Sequence, residues 1–266
     1  MRKVLSIAGS DSGGGAGIQA DLKACAAHGV YCATALTAVT AQNTLGVTAV
    51  QLLPPPMVEA QIAAVLSDIG ADAVKTGMLG DAAIIAAVAA ALGHFGVRQL
   101  VVDPVMVAKG GDQLLARDAV AALRELLLPR ALLLTPNLPE AEVLLGRAVR
   151  REQDMRDAAR DLLAMGPQAV LLKGGHLEGE PVDVLCDGAG LVELRSRRVD
   201  TPNTHGTGCT YAAAIAALLA LGAPLREAVA RAHAYLAGAI AHAVPLGGGH
   251  GPVNHLYRGM AYSELG

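Results

Sequence analysis

Aromatic residues are scarce in this chain of 266 residues, with no tryptophan, one phenylalanine and five tyrosines. A core of this size must therefore be aliphatic, and a bound ring cannot rely on stacking partners. An excess of positive charge is also missing. Lys and Arg total 21 against 24 Asp and Glu, and the net charge of -3 leaves no basic field to hold a nucleic-acid backbone. Nucleic acid is not expected as a partner. Long apolar runs are absent as well. Val4 to Ala8, behind Arg2 and Lys3, is too short for the apolar stretch of a signal peptide and meets Asp11. The uncharged stretch from Gly206 to Leu225 holds only about four helical turns, too few to cross about 30 Å of hydrocarbon. It reads as a buried core helix, and no membrane association is expected.

Cys25, Cys32, Cys186 and Cys209 form no C-x-x-C pair, so a reduced, cytoplasmic protein is the simplest expectation. The eight histidines contain neither H-x-x-x-H nor H-E-x-x-H. His28, His94, His233 and His242 fall on or at the ends of helices, whereas His176, His205 and His250 belong to loops. The phosphate-loop signature G-K-[ST] is missing, and the glycine run near residue 13 fails the dinucleotide pattern because position 18 is Ile. A hydrophobic content of 53% excludes a disordered chain.

What is present is alternation. Strand-like runs at Lys3 to Ala8, Cys32 to Ala41, Val47 to Leu53, Asp72 to Thr76, Gln99 to Asp103, Leu132 to Thr135 and Ala169 to Lys173 are interleaved with helical patterns. Those helices fall at Ala16 to His28, Val58 to Asp68, Asp81 to Leu92, Asp118 to Leu128, Pro139 to Leu145 and Gln153 to Met165. Val182 to Cys186 and Leu191 to Arg195, split by Asp187-Gly188, predict a hairpin, and two helices close the chain at Thr207 to Leu221 and Leu225 to Ala243. Strands apolar on both faces predict a mostly parallel sheet with helices on both sides and a late antiparallel edge. One three-layer αβα domain spanning residues 1–266 is expected, with ligands at the carboxyl ends of its strands.

Three loops at strand ends carry chemistry. Gly9-Ser10-Asp11-Ser12-Gly13-Gly14-Gly15-Ala16-Gly17 offers backbone N–H groups and close approach to a ligand, or is simply a flexible turn. Asn203 to Thr210 opens the uncharged helix, where small residues and free amides stabilise an anion and the helix end lowers the pKa of Cys209. Plain packing of Cys209 is the alternative. In Thr135-Pro136-Asn137-Leu138-Pro139-Glu140, Asn137 and Glu140 satisfy a capping box, or order water around a Mg²⁺ ion carried on phosphate.

Taken in order, these loops, together with Ala8 to Lys23, Ala41-Gln42-Asn43-Thr44, Lys75-Thr76-Gly77-Met78-Leu79, Asp103-Pro104-Val105-Met106, Lys173-Gly174-Gly175-His176 and Gly251-Pro252-Val253-Asn254-His255, resemble the hydroxymethylpyrimidine/phosphomethylpyrimidine kinases of thiamin biosynthesis. Those enzymes belong to the ribokinase-like superfamily, and the resemblance covers nearly the whole chain. It implies two successive phosphorylations of 4-amino-5-hydroxymethyl-2-methylpyrimidine, with ATP as co-substrate and Mg²⁺ as cofactor. It further implies that Gly206, Thr207, Gly208 and Cys209 form the anion hole, with Cys209 in the catalytic-base position. Gln42 would read the aminopyrimidine edge, Asp21 would hold the hydroxymethyl or ring amine, and Gly9, Met78 and Val105 would line the ring. Lys173, Asn137 and Asp103 would lie near the phosphates, and Glu140 would meet the metal through water. Lys109-Gly110-Gly111-Asp112 is either a mobile flap or an ordinary loop. A homodimer is expected from the family and from the general frequency of dimers. Pyridoxal kinase is the enzymatic alternative, and a non-catalytic binding module on the same fold is the alternative from another class.

Overall fold

The computed structural model describes residues 1–106, 117–175, 177 and 179–259. Lys109 to Asp112 and His176 lie outside the described residues. Nine strands form one sheet: β1 (Lys3–Asp11), β2 (Tyr31–Gln42), β3 (Val47–Leu52), β4 (Ala73–Thr76), β5 (Leu100–Val102), β6 (Leu133–Leu134), β7 (Ala169–Leu172), β8 (Val182–Asp187) and β9 (Gly190–Arg195). Their order is β3-β2-β1-β4-β5-β6-β7-β8-β9. The run from β2 to β7 is parallel, and β8 and β9 close one edge as the expected antiparallel hairpin.

The opposite edge is antiparallel too, a direction the sequence pattern left open. Only Asn43 to Gly46 join β2 to β3, far too few residues for the crossover that parallel pairing needs. The Asn43 side chain accepts from the Leu45 amide at 2.8 Å and sets this turn.

Helices α1 (Gly17–Ala27), α7 (Thr207–Ala220) and α8 (Leu225–Ala241) pack on one face. On the other lie α2 (Pro55–Ala64), α3 (Ala82–His94), α4 (Arg117–Ala122), α5 (Leu138–Leu145) and α6 (Glu152–Leu163). Alternation along each strand assigns side chains to the two cores: Val74 joins the second, whereas Ala73 joins the first. Alanines let α7 sit against the sheet, α1 and α8 at once, so every residue from Thr210 to Ala220 is buried. Among the described residues no helix is long and apolar enough to cross a membrane.

β1 runs into β2 on one side, and the chain then returns to build β4 to β9 on the other. The strand order thus reverses at the β1/β4 boundary, and a crevice opens there beyond the carboxyl ends of the strands.

Candidate active site

A cleft of about 740 Å³ occupies that crevice. Residues at or just beyond the carboxyl ends of the parallel strands make its floor: Gly9 and Asp11 at the end of β1, Met78 after β4, Asp103 and Val105 after β5, Asn137 after β6 and Lys173 after β7. α7 enters from the side with Gly206, Thr207, Gly208 and Cys209 on the wall.

Gly206 caps α7 in the left-handed region at φ 77°. A Cβ there would lie 1.8 Å from the Gly15 carbonyl oxygen, so two backbones meet where no side chain fits. Thr207, Gly208 and Cys209 form the first turn, where helix geometry supplies no carbonyl for the amide hydrogens. Gly208 is bare for a related reason: a Cβ would stand 3.3 Å from Lys173 Nζ. A lysine ammonium thus reaches the amino end of α7, and two sources of positive potential converge on one point.

The glycine loop lies at the cleft, which Gly9, Ser10, Asp11, Ala16 and Gly17 line. Its amides turn inward onto Asp11, whose carboxylate accepts from Gly13 at 2.8 Å, Gly15 at 3.1 Å and Ala16 at 2.8 Å. His205 Nε2 lies 2.8 Å from the same carboxylate. Burial works against the Asp11 charge, but His205 and these amides outweigh it and hold the pKa below its ordinary value. Asp11 therefore organises the loop from within, and His205 ties the loop to the turn before α7.

Near the amino end of α7, Asp103 Oδ1 accepts from Lys173 Nζ at 2.9 Å and from the Thr135 hydroxyl at 3.0 Å. Burial opposes the Lys173 charge, yet Asp103 and Glu140 raise its pKa, so it remains an ammonium. Asn137 and Glu140 do form the capping box of α5, with bonds of 2.9 and 2.8 Å. They also line the cleft, so the capping box does not take them away from it. Burial, aided by Asp103, pushes the Glu140 carboxyl up to about 7.

At the opposite end Gln42 lines the cleft, its Oε1 3.2 Å from the Thr40 hydroxyl, which donates to the Ser10 carbonyl at 2.8 Å, and its Nε2 3.5 Å from His205 Nε2. Met78 and Val105 form apolar wall, and Gly9 leaves room for Met78, whose Sδ would lie 3.1 Å from a Cβ at that position.

Two expectations change. Asp21 does not line the cleft. It is fully buried, accepting from Lys75 Nζ at 2.8 and 3.0 Å and from the Ser6 hydroxyl at 2.5 Å, because its helical position faces the sheet rather than the strand ends. Nor is the Cys209 thiol lowered by the helix end. Burial, with Asp21 and Asp103 near, pushes it up to about 11 against the pull of Lys75.

Pairing across the chain hides the residues that spacing missed. His205 and Asp11 are 194 residues apart, and Lys75 and Asp21 are 54 apart. Asp183, Tyr211 and His233 also line the cleft, from three separate elements. Asp11, His205, Lys75 and Asp21 sat inside motifs already singled out, whereas Asp183, Tyr211 and His233 did not.

The phosphomethylpyrimidine kinase family model matches residues 11–254, a span that takes in every cleft motif described above except Gly9. The chain belongs to the phosphomethylpyrimidine kinase family. It is 56% identical over 258 residues to the hydroxymethylpyrimidine/phosphomethylpyrimidine kinase of Rhizobium meliloti, covering 96% of this chain and 97% of that one. It is 57% identical over 254 residues to the thiamine biosynthesis bifunctional protein ThiED of Geobacter sulfurreducens. That match takes in 95% of this chain but only 52% of the larger protein, so the chain spans about half of its length. Among solved structures, an ADP complex of Bacillus subtilis pyridoxal kinase superposes with a TM-score of 0.90 at 42% identity, covering 96% of this chain and 97% of that one. The ribokinase-like αβα architecture expected from the sequence is thus the one found.

Proposed function

We infer that this kinase transfers the γ-phosphoryl group of ATP to the hydroxymethyl oxygen of 4-amino-5-hydroxymethyl-2-methylpyrimidine, and then phosphorylates the monophosphate to the diphosphate. The observation that carries the reading is one cleft that holds the amino end of α7, a lysine ammonium beside it, and the Gln42 amide with an aliphatic wall. In each step the alcohol or phosphate oxygen bonds to the γ-phosphorus, the bond to the ADP oxygen breaks, and the attacking group gives up its proton. Such transfer is mainly positioning and charge neutralisation.

Gln42 presents both a donor and an acceptor, as an aminopyrimidine edge requires. The amides of Thr207 to Cys209 and the Lys173 ammonium face the charge that develops on the transferring group. Cys209 stands at that helix end and holds the attacking oxygen. Among the described residues no group of three His, Cys, Asp or Glu side chains forms a metal cage. A buried carboxyl pushed up to about 7 beside Asp103 nevertheless fits a Mg²⁺ ion carried on phosphates, with Glu140 and Asp103 holding it through water. Such an ion would neutralise phosphate charge.

Pyridoxal is the competing alcohol, because the pyridoxal kinase superposes so closely. The test measures ADP release with the pyrimidine alcohol, its monophosphate and pyridoxal. The pyrimidine is expected to give the highest kcat/KM, and a higher value for pyridoxal reverses the order. In the same assay Gln42→Ala removes hydrogen bonds of about 1–3 kcal/mol, so KM for the pyrimidine rises about five- to 150-fold. An unchanged KM removes Gln42 from the recognition edge.

Residues 1–266 act as one cytoplasmic unit on this reading, supported by a cleft drawn from Ala8 to Ile240 and by four free cysteines. The unit is a homodimer. Support comes from β3, an edge strand whose outer side meets no other strand among the described residues and which carries Val50, with Val39, Leu45 and Met57 exposed near it. Sedimentation equilibrium is expected to give twice the chain mass, and Val50→Lys to shift it toward the monomer; a monomeric parent protein excludes the dimer.

A further inference from the structure

The segment after α8 lies over the turn that opens α7. His205 N donates to the Gly251 carbonyl at 3.0 Å, the Asn254 amide donates to Ala239 O at 3.0 Å, and the Tyr235 hydroxyl donates to His255 O at 2.8 Å. These contacts pin His255, only 1% exposed, with Nε2 2.9 Å from the Thr210 hydroxyl. Thr210 Oγ1 is also 2.8 Å from the Gly206 carbonyl, which takes the Thr210 amide at 2.9 Å.

Proton counting fixes the direction of this chain. A hydroxyl has one hydrogen and a carbonyl can only accept, so the Thr210 proton goes to Gly206. A reversed arrangement would leave two oxygens 2.8 Å apart with no hydrogen between them. His255 must then donate from Nε2 to Thr210, which selects its Nε2–H tautomer. Burial holds the His255 pKa down to about 4, so the ring is neutral in the working range.

The Gly206 carbonyl belongs to the peptide that carries the Thr207 N–H. In a trans peptide these two groups point in opposite directions, so drawing the carbonyl toward Thr210 turns the amide away from it. That amide makes only a long contact, 3.4 Å, to the Thr204 carbonyl, which an anionic oxygen can replace. We propose that His255 and Thr210 form a positioning relay that aims the Gly206–Thr207 peptide at the transferring phosphoryl group. Neither residue touches substrate. The proposal rests on the phosphoryl-transfer reading of this cleft.

Thr210→Val removes the hydroxyl at constant shape and His255→Leu removes the donor, while Thr210→Ser and His255→Gln restore one. Steady-state kinetics with the pyrimidine alcohol, and thermal melts of each variant, make the test. The Val and Leu variants are expected to lose kcat by about ten- to a hundredfold, the cost of a misaimed group, with KM changed by less than about threefold. The Ser and Gln variants are expected to recover most of kcat. A kcat for Thr210→Val within about threefold of the parent overturns the relay, and so do equal losses in Ser and Val, because the hydroxyl is then irrelevant. If Thr210→Val does not fold, the Leu and Gln pair at His255 decides by the same criteria. No turnover by the parent protein overturns the kinase reading instead, whereas parent turnover with insensitive variants overturns the relay alone.

Discussion

Cys209→Ala is expected to lower kcat by about 10²–10⁴-fold while KM for the pyrimidine changes little, because the thiol acts on the reacting oxygen and not on ring recognition. The pH dependence discriminates the form in which it acts. Burial pushes the thiol up to about 11, so the free protein holds it protonated throughout the neutral range. A thiol that positions the alcohol gives a kcat/KM with no cysteine ionisation between about pH 7 and 9. A base acting as thiolate gives a rate that climbs about tenfold per pH unit over the same interval. The flat profile is the expected result. A slope that disappears in Cys209→Ala would establish the thiolate, and an undiminished kcat in that variant would remove Cys209 from the reaction.

The loops that carry the site were legible in the sequence because each is a local event. A strand ends, small residues come next and a helix starts, so Gly206 to Cys209 and Asn137 to Glu140 stand out without any knowledge of the fold. The parallel sheet was legible for a similar reason, since β-rich runs alternate with helices and leave β2 to β7 no other arrangement. Pairing across the chain was not. Asp11 and His205 meet only because the turn before α7 is laid against the glycine loop, at a point where Gly15 leaves no room for a Cβ beside the imidazole. Asp21 shows the converse error. A carboxylate inside a matching motif looked like a substrate contact, yet its helical phase turns it toward Lys75 on the sheet.

Site and scaffold are joined electrostatically. Lys173 reaches the amino end of α7, while Lys75 lies beneath the cleft floor, 2.8 Å from where a Cβ on Gly77 would stand. The first lines the cleft and is partly exposed, and the second is sealed. Both counter the carboxylates that surround Cys209, and only the first is free to exchange its partner for a ligand.

Removing the sealed cation is expected to produce the largest loss of stability. Lys75 and Asp21 are both fully buried, and three hydrogen bonds on the carboxylate oppose the burial that raises its pKa. Lys75→Met leaves that carboxylate in an apolar surrounding without its counter-charge, at a cost of about 3–5 kcal/mol. For a chain of this size the midpoint of thermal unfolding falls by about 6–20 °C. Adding Asp21→Asn removes the stranded charge while an amide still meets the Ser6 hydroxyl, so the double variant should be more stable than Lys75→Met alone. The sign with pH comes from the ammonium. Burial lowers its pKa, but Asp21 overrides burial and raises it above 10.5, so the ammonium's contribution is intact in the neutral range and fades at alkaline pH, while burial raises the Asp21 carboxyl and the pair also weakens as acid protonates it. Melts of the parent, the two single variants and the double variant at neutral pH decide the matter. Equal stability of Lys75→Met and the parent, or a double variant no better than Lys75→Met, would show that the pair does not hold β4 to α1.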